Sequence, residues 1–333
     1  MTPPAPGLPP VEELLGSLRV VAIPMRVRFR GVTVREAALF RGPSGWAEFA
    51  PFLEYCPAES SRWLLAAVEA GWGRWPAARR DVVPVNATVP AVAAADVPGV
   101  LARFDGATTA KVKVAERGQH LDDDVDRVAA VRDVMGPGGR IRVDANGGWS
   151  VRAATDALTR LAPYGLEYAE QPCAEVGELR ELRLALARSG VDVLVAADES
   201  IRKAEDPVRV AREEAADLVV VKVAPLGGVS RALEVVSDCG LPAVVSSALD
   251  TSVGMAAGVA LAAALPELPF ACGLGTVALL EGDVSGASLL PRAGGLPVRR
   301  VAADEDLLTR WAAPAERVAW WVERVRDCWS VLA

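Results

Sequence analysis

The sequence predicts an α/β protein: a (β/α)8-type barrel capped by an α+β N-terminal domain that the C-terminal segment completes. Three observations carry that expectation. From about residue 83 onward, eight short β-branched apolar runs alternate with longer Ala/Leu/Arg-rich stretches of helical period, the pattern of repeated βα units. Residues before about 80 and after about 275 lack that alternation. The chain of 333 residues also exceeds an average domain of about 150 residues, which suits either two domains or one large barrel.

In chain order, a short Pro-rich start, Met1 to Pro6, is expected to be disordered. Leu18–Arg28, Val32–Phe40 and Trp46–Phe49 read as an antiparallel meander, punctuated by Arg30-Gly31 and Arg41-Gly-Pro-Ser-Gly45, and Ser61–Trp72 reads as a helix. Residues 1–80 are thus assigned to the cap and 81–275 to the barrel. Barrel strands are expected at Val83–Val89, Thr109–Val114, Arg140–Asp144, Leu166–Glu170, Val193–Asp198, Leu218–Val223, Ala243–Ser247 and Phe270–Gly273. Between them, Asp122–Met135 and Val176–Arg188 place apolar residues three and four apart with charges opposite, as crossover helices require. Gly136-Pro-Gly-Gly139, Ser189-Gly190 and Cys239-Gly-Leu-Pro242 each stop a helix just before the next strand. Residues 276–333 return to Gly/Pro-rich loops and a Trp-rich helix from about Pro314, expected to fold back in part on the cap. Trp311, Trp320, Trp321 and Trp329 read as packing rather than ligand stacking.

Parallel strands buried on both faces are continuous apolar runs, so a charged residue near the end of one is informative. Catalytic groups of βα barrels gather at the C-terminal strand ends. Strand two carries Lys111 and Lys113, strands three, four and five end at Asp144, Glu170 and Asp198, and strand six carries Lys222. Alternation sends Lys111 and Lys113 to one face. Three carboxylates converging on a low-dielectric mouth repel one another unless compensated. A divalent cation is the evident compensation, and oxygen-only ligands on rigid strands suit Mg2+, with Mn2+ as a substitute, better than zinc. An ammonium beside such a cation and a second lysine has a lowered pKa, which leaves one lysine as general base and the other charged.

Each residue also has a structural reading. A strand-end aspartate often caps the following helix, and Asp144 could do so, although Ser150 is the better cap. Either Asp198 or Glu199 could be the ligand; the apolar run stops at Ala197, which favours Asp198. Taken singly, the two readings are even. Together, Asp, Glu and Asp ending three successive strands between inward lysines leave few structural explanations. His120 is the only histidine and opens the second helix, so paired-histidine metal sites are excluded and a Ser-His-Asp mechanism has one ill-placed candidate.

Net charge is −7 with signs interspersed, so no basic stripe offers itself to nucleic acid. Five cysteines, Cys56, Cys173, Cys239, Cys272 and Cys328, form no C-x-x-C pair and are odd in number, which reads as a reducing cytoplasm. The start is neither basic nor followed by an apolar core of signal type, and the longest apolar run, Val253–Leu265, is too short to span a bilayer. The expected partner is a small-molecule carboxylate, with no nucleic acid and no membrane; the oligomeric state is left open, a monomer being compatible.

Lys111-Val-Lys113, Val143-Asp-Ala-Asn146, Glu170-Gln-Pro172, Ala197-Asp-Glu-Ser200 and Val221-Lys-Val-Ala-Pro-Leu-Gly-Gly228 occur in this order at barrel-strand spacing. Together they resemble the muconate-lactonizing-enzyme subgroup of the enolase superfamily, over nearly the whole chain. The resemblance implies an enolase-like modified TIM barrel, with Asp144, Glu170 and Asp198 as magnesium ligands. It further implies Lys113 and Lys222 as an acid/base pair on opposite faces of the substrate, and Lys111 helping to bind the substrate carboxylate. The shared step is removal of a proton α to a carboxylate, through an enediolate.

Within the subgroup, the short chain, Arg28-Phe-Arg-Gly-Val-Thr-Val-Arg-Glu36, Trp46-Ala-Glu-Phe-Ala-Pro-Phe-Leu-Glu-Tyr55 and Ser246-Ser-Ala-Leu-Asp-Thr-Ser252 look most like one actinobacterial branch. Its members are lyases that dehydrate a succinyl-hydroxycyclohexadiene carboxylate to an aromatic acid for menaquinone biosynthesis. On that likeness Lys113 removes the α-proton and then assists hydroxyl departure on the same face, Lys222 stays cationic, and Asn146, Ser247 and Gly273 place the succinyl and ring portions. An N-acylamino-acid racemase would share both lysines. A dipeptide epimerase usually carries an acidic pair near strand eight, where Ala271-Cys-Gly-Leu-Gly275 has none. Lactonisation of muconate is the weaker rival, and mandelate-racemase-like members use a barrel histidine. A non-catalytic carboxylate-binding barrel is the reading from another class; the intact lysine pair beside a full carboxylate set argues against it.

Overall fold

The computed structural model describes residues 7–202 and 206–333; the Pro-rich start, residues 1–6, lies outside the described residues. Helix α1 (Val11–Gly16) leads into an antiparallel sheet of β1 (Arg19–Phe29), β2 (Val32–Gly42) and β3 (Gly45–Phe49), in that order. Arg30 (φ 52) and Gly31 (φ 77) turn the first hairpin, both left-handed, the backbone whose twist matches the flanking strands. Helix α2 (Pro57–Trp72) packs against β3. Its start at Pro57, four residues before the apolar run, follows from Pro at N1, where the missing N–H has no intrahelical partner to lose.

The first apolar run of the barrel divides in two, β4 (Val82–Pro84) and β5 (Ala87–Val89). Pro84 has no N–H to give a central ladder, so the run breaks there. From β5 a parallel sheet continues through β6 (Thr109–Lys113), β7 (Arg140–Asp144), β8 (Leu166–Glu170), β9 (Leu194–Ala197), β10 (Leu218–Val221) and β11 (Ala243–Val245) in sequence order. The eighth run is no regular strand. Cys272 bridges Val85 and Gly273 bridges Ser246, both in parallel, so residues 272–273 close the sheet between its two edges.

The crossovers are α3 (Val97–Leu101), α4 (Leu121–Met135), α5 (Val151–Leu161), α6 (Val176–Ser189), the short α7 (Glu199–Arg202), α8 (Arg209–Arg212) and α9 (Val223–Leu226), then α10 (Val229–Cys239) and α11 (Ser252–Ala264). Ser150 caps α5, accepting from Ala153 N–H at 3.3 Å. His120 is the exposed N-cap of α4, its N–H bonded to Asp123. Tyr168, Ala196, Leu218, Val220 and Val244 form an apolar cluster of their own beneath the mouth. Arg142 is fully buried there, its guanidinium 4.7 Å from the Tyr168 ring centroid and donating to Ala271 O at 2.6 Å.

After residue 275, β12 (Gly295–Pro297) pairs antiparallel with β4, followed by α12 (Glu305–Arg310) and α13 (Ala315–Leu332). Helix α13 lies against α2, and the Trp321 ring meets Phe49 edge-on at 5.7 Å while its N–H donates to Glu36 at 2.7 Å. The tryptophans of this segment pack against the core, as expected. Two buried cap carboxylates reach barrel helices. Glu69 accepts from the N–H groups of Val229 and Ser230 at the start of α10, and Glu48 from those of Thr251 and Gly254 at the start of α11. Anions are favoured at helix N-termini, which supports the Glu69 contact; burial and the Asp250 charge push the Glu48 carboxyl up to about 8, so its contact rests on hydrogen bonding, and both fix the cap over the C-terminal end of the barrel. No helix among the described residues is long and apolar enough to cross a membrane.

Candidate active site

Pairing register brings the strand-end residues together. Lys113 lies opposite Asp144 in the β6–β7 pair, and Asp144 opposite Glu170 in the β7–β8 pair. Glu170 pairs with Ala196, two residues before Asp198. Strand β9 ends at Ala197, so Asp198 stands just past the strand and Glu199 opens α7. Lys222 likewise follows the last residue of β10, still in extended conformation, as the N-cap of α9.

Lys111, Lys113, Asp144 and Glu170 form one buried network, beside a second pair made by buried Asp198 with the half-buried Lys222. The Lys111 ammonium donates to Asp144 at 3.0 Å and to both oxygens of Glu170 at 2.8 and 2.9 Å. Lys113 donates to Asp144 at 2.6 Å and to the side-chain carbonyl of Asn146. Lys222 is paired with Asp198. Burial works against the charges of Lys111, Lys113, Asp144 and Glu170. For Lys111 burial is overcome by Asp144 and Glu170, which hold its pKa well above the ordinary value. For Lys113 burial, aided by the neighbouring Lys111 charge, prevails over Asp144, and its pKa is lowered. Burial and the Asp144 charge push the Glu170 carboxyl up to about 7, whereas the two lysines overcome burial at Asp144 and hold it well below the usual carboxylate range.

Two residues supporting this network have left-handed backbones: Asn146 (φ 46) and Gln171 (φ 39). Asn146 can adopt that conformation at modest cost; for glutamine it is uncommon and marks a site whose surroundings dictate it. Gln171 is fully buried, accepts from the N–H groups of Asp198 at 2.9 Å and Ser200 at 3.2 Å, and donates to Cys173 O and the Ser200 hydroxyl. It thereby ties the end of β8 to the end of β9.

A cavity opens over these groups, with Lys111, Lys113, Asp144, Asn146 and Lys222 in its floor and Ser247 and Gly273 in its wall. Glu170 and Asp198 are not among its lining residues, although the lysines bonded to them are. Ser247 bonds Thr276 at 2.8 Å and Gly273 O at 3.0 Å. Gly273 approaches Ser246 so closely that a Cβ there would sit 2.6 Å from the hydroxyl oxygen. The cap supplies Phe29, Arg30, Phe52 and Trp63, and the Lys113 ammonium lies 5.3 Å from the Phe29 ring centroid. No role for these cap residues or for Gln171 follows from the strand-end rule. Gln171 is adjacent to a strand-end acid, but the cap contacts require the tertiary fold.

All nine residues singled out in the sequence are therefore gathered in this region. Among the described residues, no three Asp, Glu, His or Cys side chains converge as a metal cluster, since the carboxylates are turned to the ammonium groups. The donor chemistry nevertheless fits magnesium: three buried carboxylates at successive strand ends, each already matched to a cation.

Residues 20–71 match the family described as Enolase N-terminal domain-like, and residues 99–310 the family Enolase C-terminal domain-like. The o-succinylbenzoate synthase of Mycobacterium leprae is 56% identical over 98% of this chain and 95% of its own. That of Mycolicibacterium smegmatis is 56% identical over 98% and 99%. Among solved structures, the muconate lactonizing enzyme of Pseudomonas fluorescens superposes with a TM-score of 0.76 at 19% identity, over 89% of this chain and 98% of that one. The L-Ala-D/L-Glu epimerase of Bacillus subtilis does so with a TM-score of 0.71 at 22% identity, over 86% and 96%. At such identities these two likenesses establish the cap-and-barrel fold alone. The mycobacterial relatives go further, and the chain belongs to the o-succinylbenzoate synthase family of the enolase superfamily.

Proposed function

We propose that the chain dehydrates 2-succinyl-6-hydroxy-2,4-cyclohexadiene-1-carboxylate to o-succinylbenzoate, a step of menaquinone biosynthesis, as a cytoplasmic enzyme acting on a small-molecule carboxylate. The observation that supports this most strongly is the near full-length 56% identity to enzymes named for that product, joined to a cavity with lysines on its strand-two and strand-six sides.

In this reading Asp144, Glu170 and Asp198 hold Mg2+. Bound there, magnesium supplies electrostatic stabilisation of negative charge developing on the substrate carboxylate. Lys113 acts as base: as the neutral amine it takes the proton α to the carboxylate, and the C–H electron pair moves onto the carboxylate as an enediolate, returning to form the ring double bond as the hydroxyl leaves. The same Lys113, now an ammonium, gives that proton to the departing hydroxyl as the C–O bond breaks, releasing water and leaving the aromatic ring. Asn146 accepts a hydrogen bond from Lys113 and orients it. Lys222 remains cationic and stabilises the intermediate charge, and Lys111 supports the substrate carboxylate. Asn146, Ser247 and Gly273 help to shape the room for the succinyl chain and ring.

The test is turnover by purified protein with magnesium, followed by the loss of diene absorbance in the ultraviolet. Absence of turnover at micromolar enzyme refutes the reading.

A further inference from the structure

Three sequence segments, in which only Ser247 has a part in the reading above, meet at one buried point. They are residues 28–36 of the cap hairpin, 46–55 of the following strand and loop, and 246–252 after β11. At their junction stands Arg35, 3% exposed. Among the described residues its guanidinium makes no ion pair within direct reach. Instead it donates to three backbone carbonyls: Leu249 O at 3.0 Å, Ala248 O at 3.2 Å and Ala50 O. The guanidinium also lies 4.8 Å from the Phe52 ring centroid.

Each partner belongs to, or adjoins, the wall of the substrate cavity. Ala248, Leu249 and Phe52 line it, and Ala50 lies two residues before Phe52. Leu249 has a left-handed backbone (φ 65), unfavourable for a branched side chain unless the surroundings enforce it. The Arg35 bond to its carbonyl and the Asp250 bond to Ala248 N–H at 3.0 Å enforce it here. Glu48 completes the junction from β3, accepting from Thr251 and Gly254. A planar fork with five donors can satisfy three carbonyls from two loops at once; a lysine ammonium on a flexible stem reproduces the charge without that geometry.

We propose that Arg35 is a positioning residue for the substrate reaction, joining the cap wall at 50–52 to the barrel wall at 248–249 and so fixing the width of the cavity between them. It touches neither the lysine network nor the carboxylates that we assign to magnesium. Its effect falls on the grip of the non-reacting part of the substrate. The inference rests on the proposed dehydration only for its kinetic readout.

Arg35→Lys and Arg35→Met are compared with Arg132→Lys, which alters an arginine donating to the carbonyls of Tyr164, Gly136 and Gly139, none of them lining the cavity. With the cyclohexadiene carboxylate as substrate, both Arg35 variants are expected to raise KM at least tenfold while kcat stays within threefold; Arg132→Lys leaves both unchanged. Hydrogen exchange needs no substrate: in Arg35→Lys the amides of residues 50–55 and 248–251 exchange at least tenfold faster than in the wild type, and in Arg132→Lys they do not. Wild-type exchange rates in those two segments of Arg35→Lys overturn the inference. So does a wild-type KM in that variant when the native enzyme turns over. A native enzyme that does not turn over refutes the reaction, and the exchange result then decides the inference by itself.

Discussion

Glu69→Ala is expected to cost about 3 kcal/mol of stability, by loss of two hydrogen bonds to a charged acceptor and exposure of two unpaired N–H groups. Glu69 is 6% exposed and receives the N–H groups of Val229 and Ser230, at the open end of an eleven-residue helix. The two bonds contribute about 1.5–3 kcal/mol each at full strength. The helix dipole adds about 0.3–1 kcal/mol, up to about 2 when partly buried. Water entering the space left by the side chain returns part of this, which brings the net to about 3 kcal/mol. Gly228 shows why only this geometry serves: its φ is 133, and a Cβ there would lie 2.6 Å from a Glu69 oxygen. Glu69→Gln keeps one acceptor and turns an amide N–H toward the helix, so it should cost about 1–2 kcal/mol, less than alanine. Thermal unfolding by circular dichroism checks this, since about 2–4 °C per kcal/mol applies to a chain of about 150–250 residues and less to a longer one; Glu69→Ala should melt about 4 °C lower. An alanine variant within 1 °C of the wild type would refute the argument that this contact fixes the cap to the α10 end of the barrel.

Two further outcomes concern the site. Lys113→Ala should lower kcat by about a thousandfold, within the range general acid–base catalysis supplies, without changing the circular dichroism; a loss smaller than tenfold would mean that another group takes the proton. Gly273→Ala places a methyl group 2.6 Å from the Ser246 hydroxyl oxygen and should displace Ser246 into the cavity, raising KM about tenfold as the pocket loses substrate contacts. An unchanged KM would show that the substrate does not extend to that wall.

Strand-end charges were legible because a lysine or carboxylate interrupting an apolar run has one face to occupy, and β-sheet register then places neighbours side by side: Lys113, Asp144 and Glu170 fall opposite one another. The helices were legible from their stop signals, with α4 and α6 found within a residue of their expected bounds. What periodicity could not show was the break at Pro84 or the irregular eighth segment. A proline's missing donor and a closure held by two bridges leave no hydrophobic period to read. Arg142 shares its strand face with Asp144, yet its burial under the Tyr168 ring follows from barrel closure rather than from local pattern. The cap's part in the cavity was similarly hidden. Phe29, Phe52 and Trp63 are ordinary core aromatics by sequence, and only the docking through Glu48, Glu69 and Arg35 brings them over the lysines.

The most direct test of the central claim is the rate at which the purified chain converts 2-succinyl-6-hydroxy-2,4-cyclohexadiene-1-carboxylate, measured with magnesium, after chelation, and after magnesium is restored. The account predicts turnover at about 1–1,000 per second, the usual range for enzymes, abolished by chelation and recovered on adding Mg2+, with o-succinylbenzoate and water as the products. Undiminished turnover in the chelated enzyme would contradict the assignment of Asp144, Glu170 and Asp198, and no turnover in any of the three states would contradict the reaction itself.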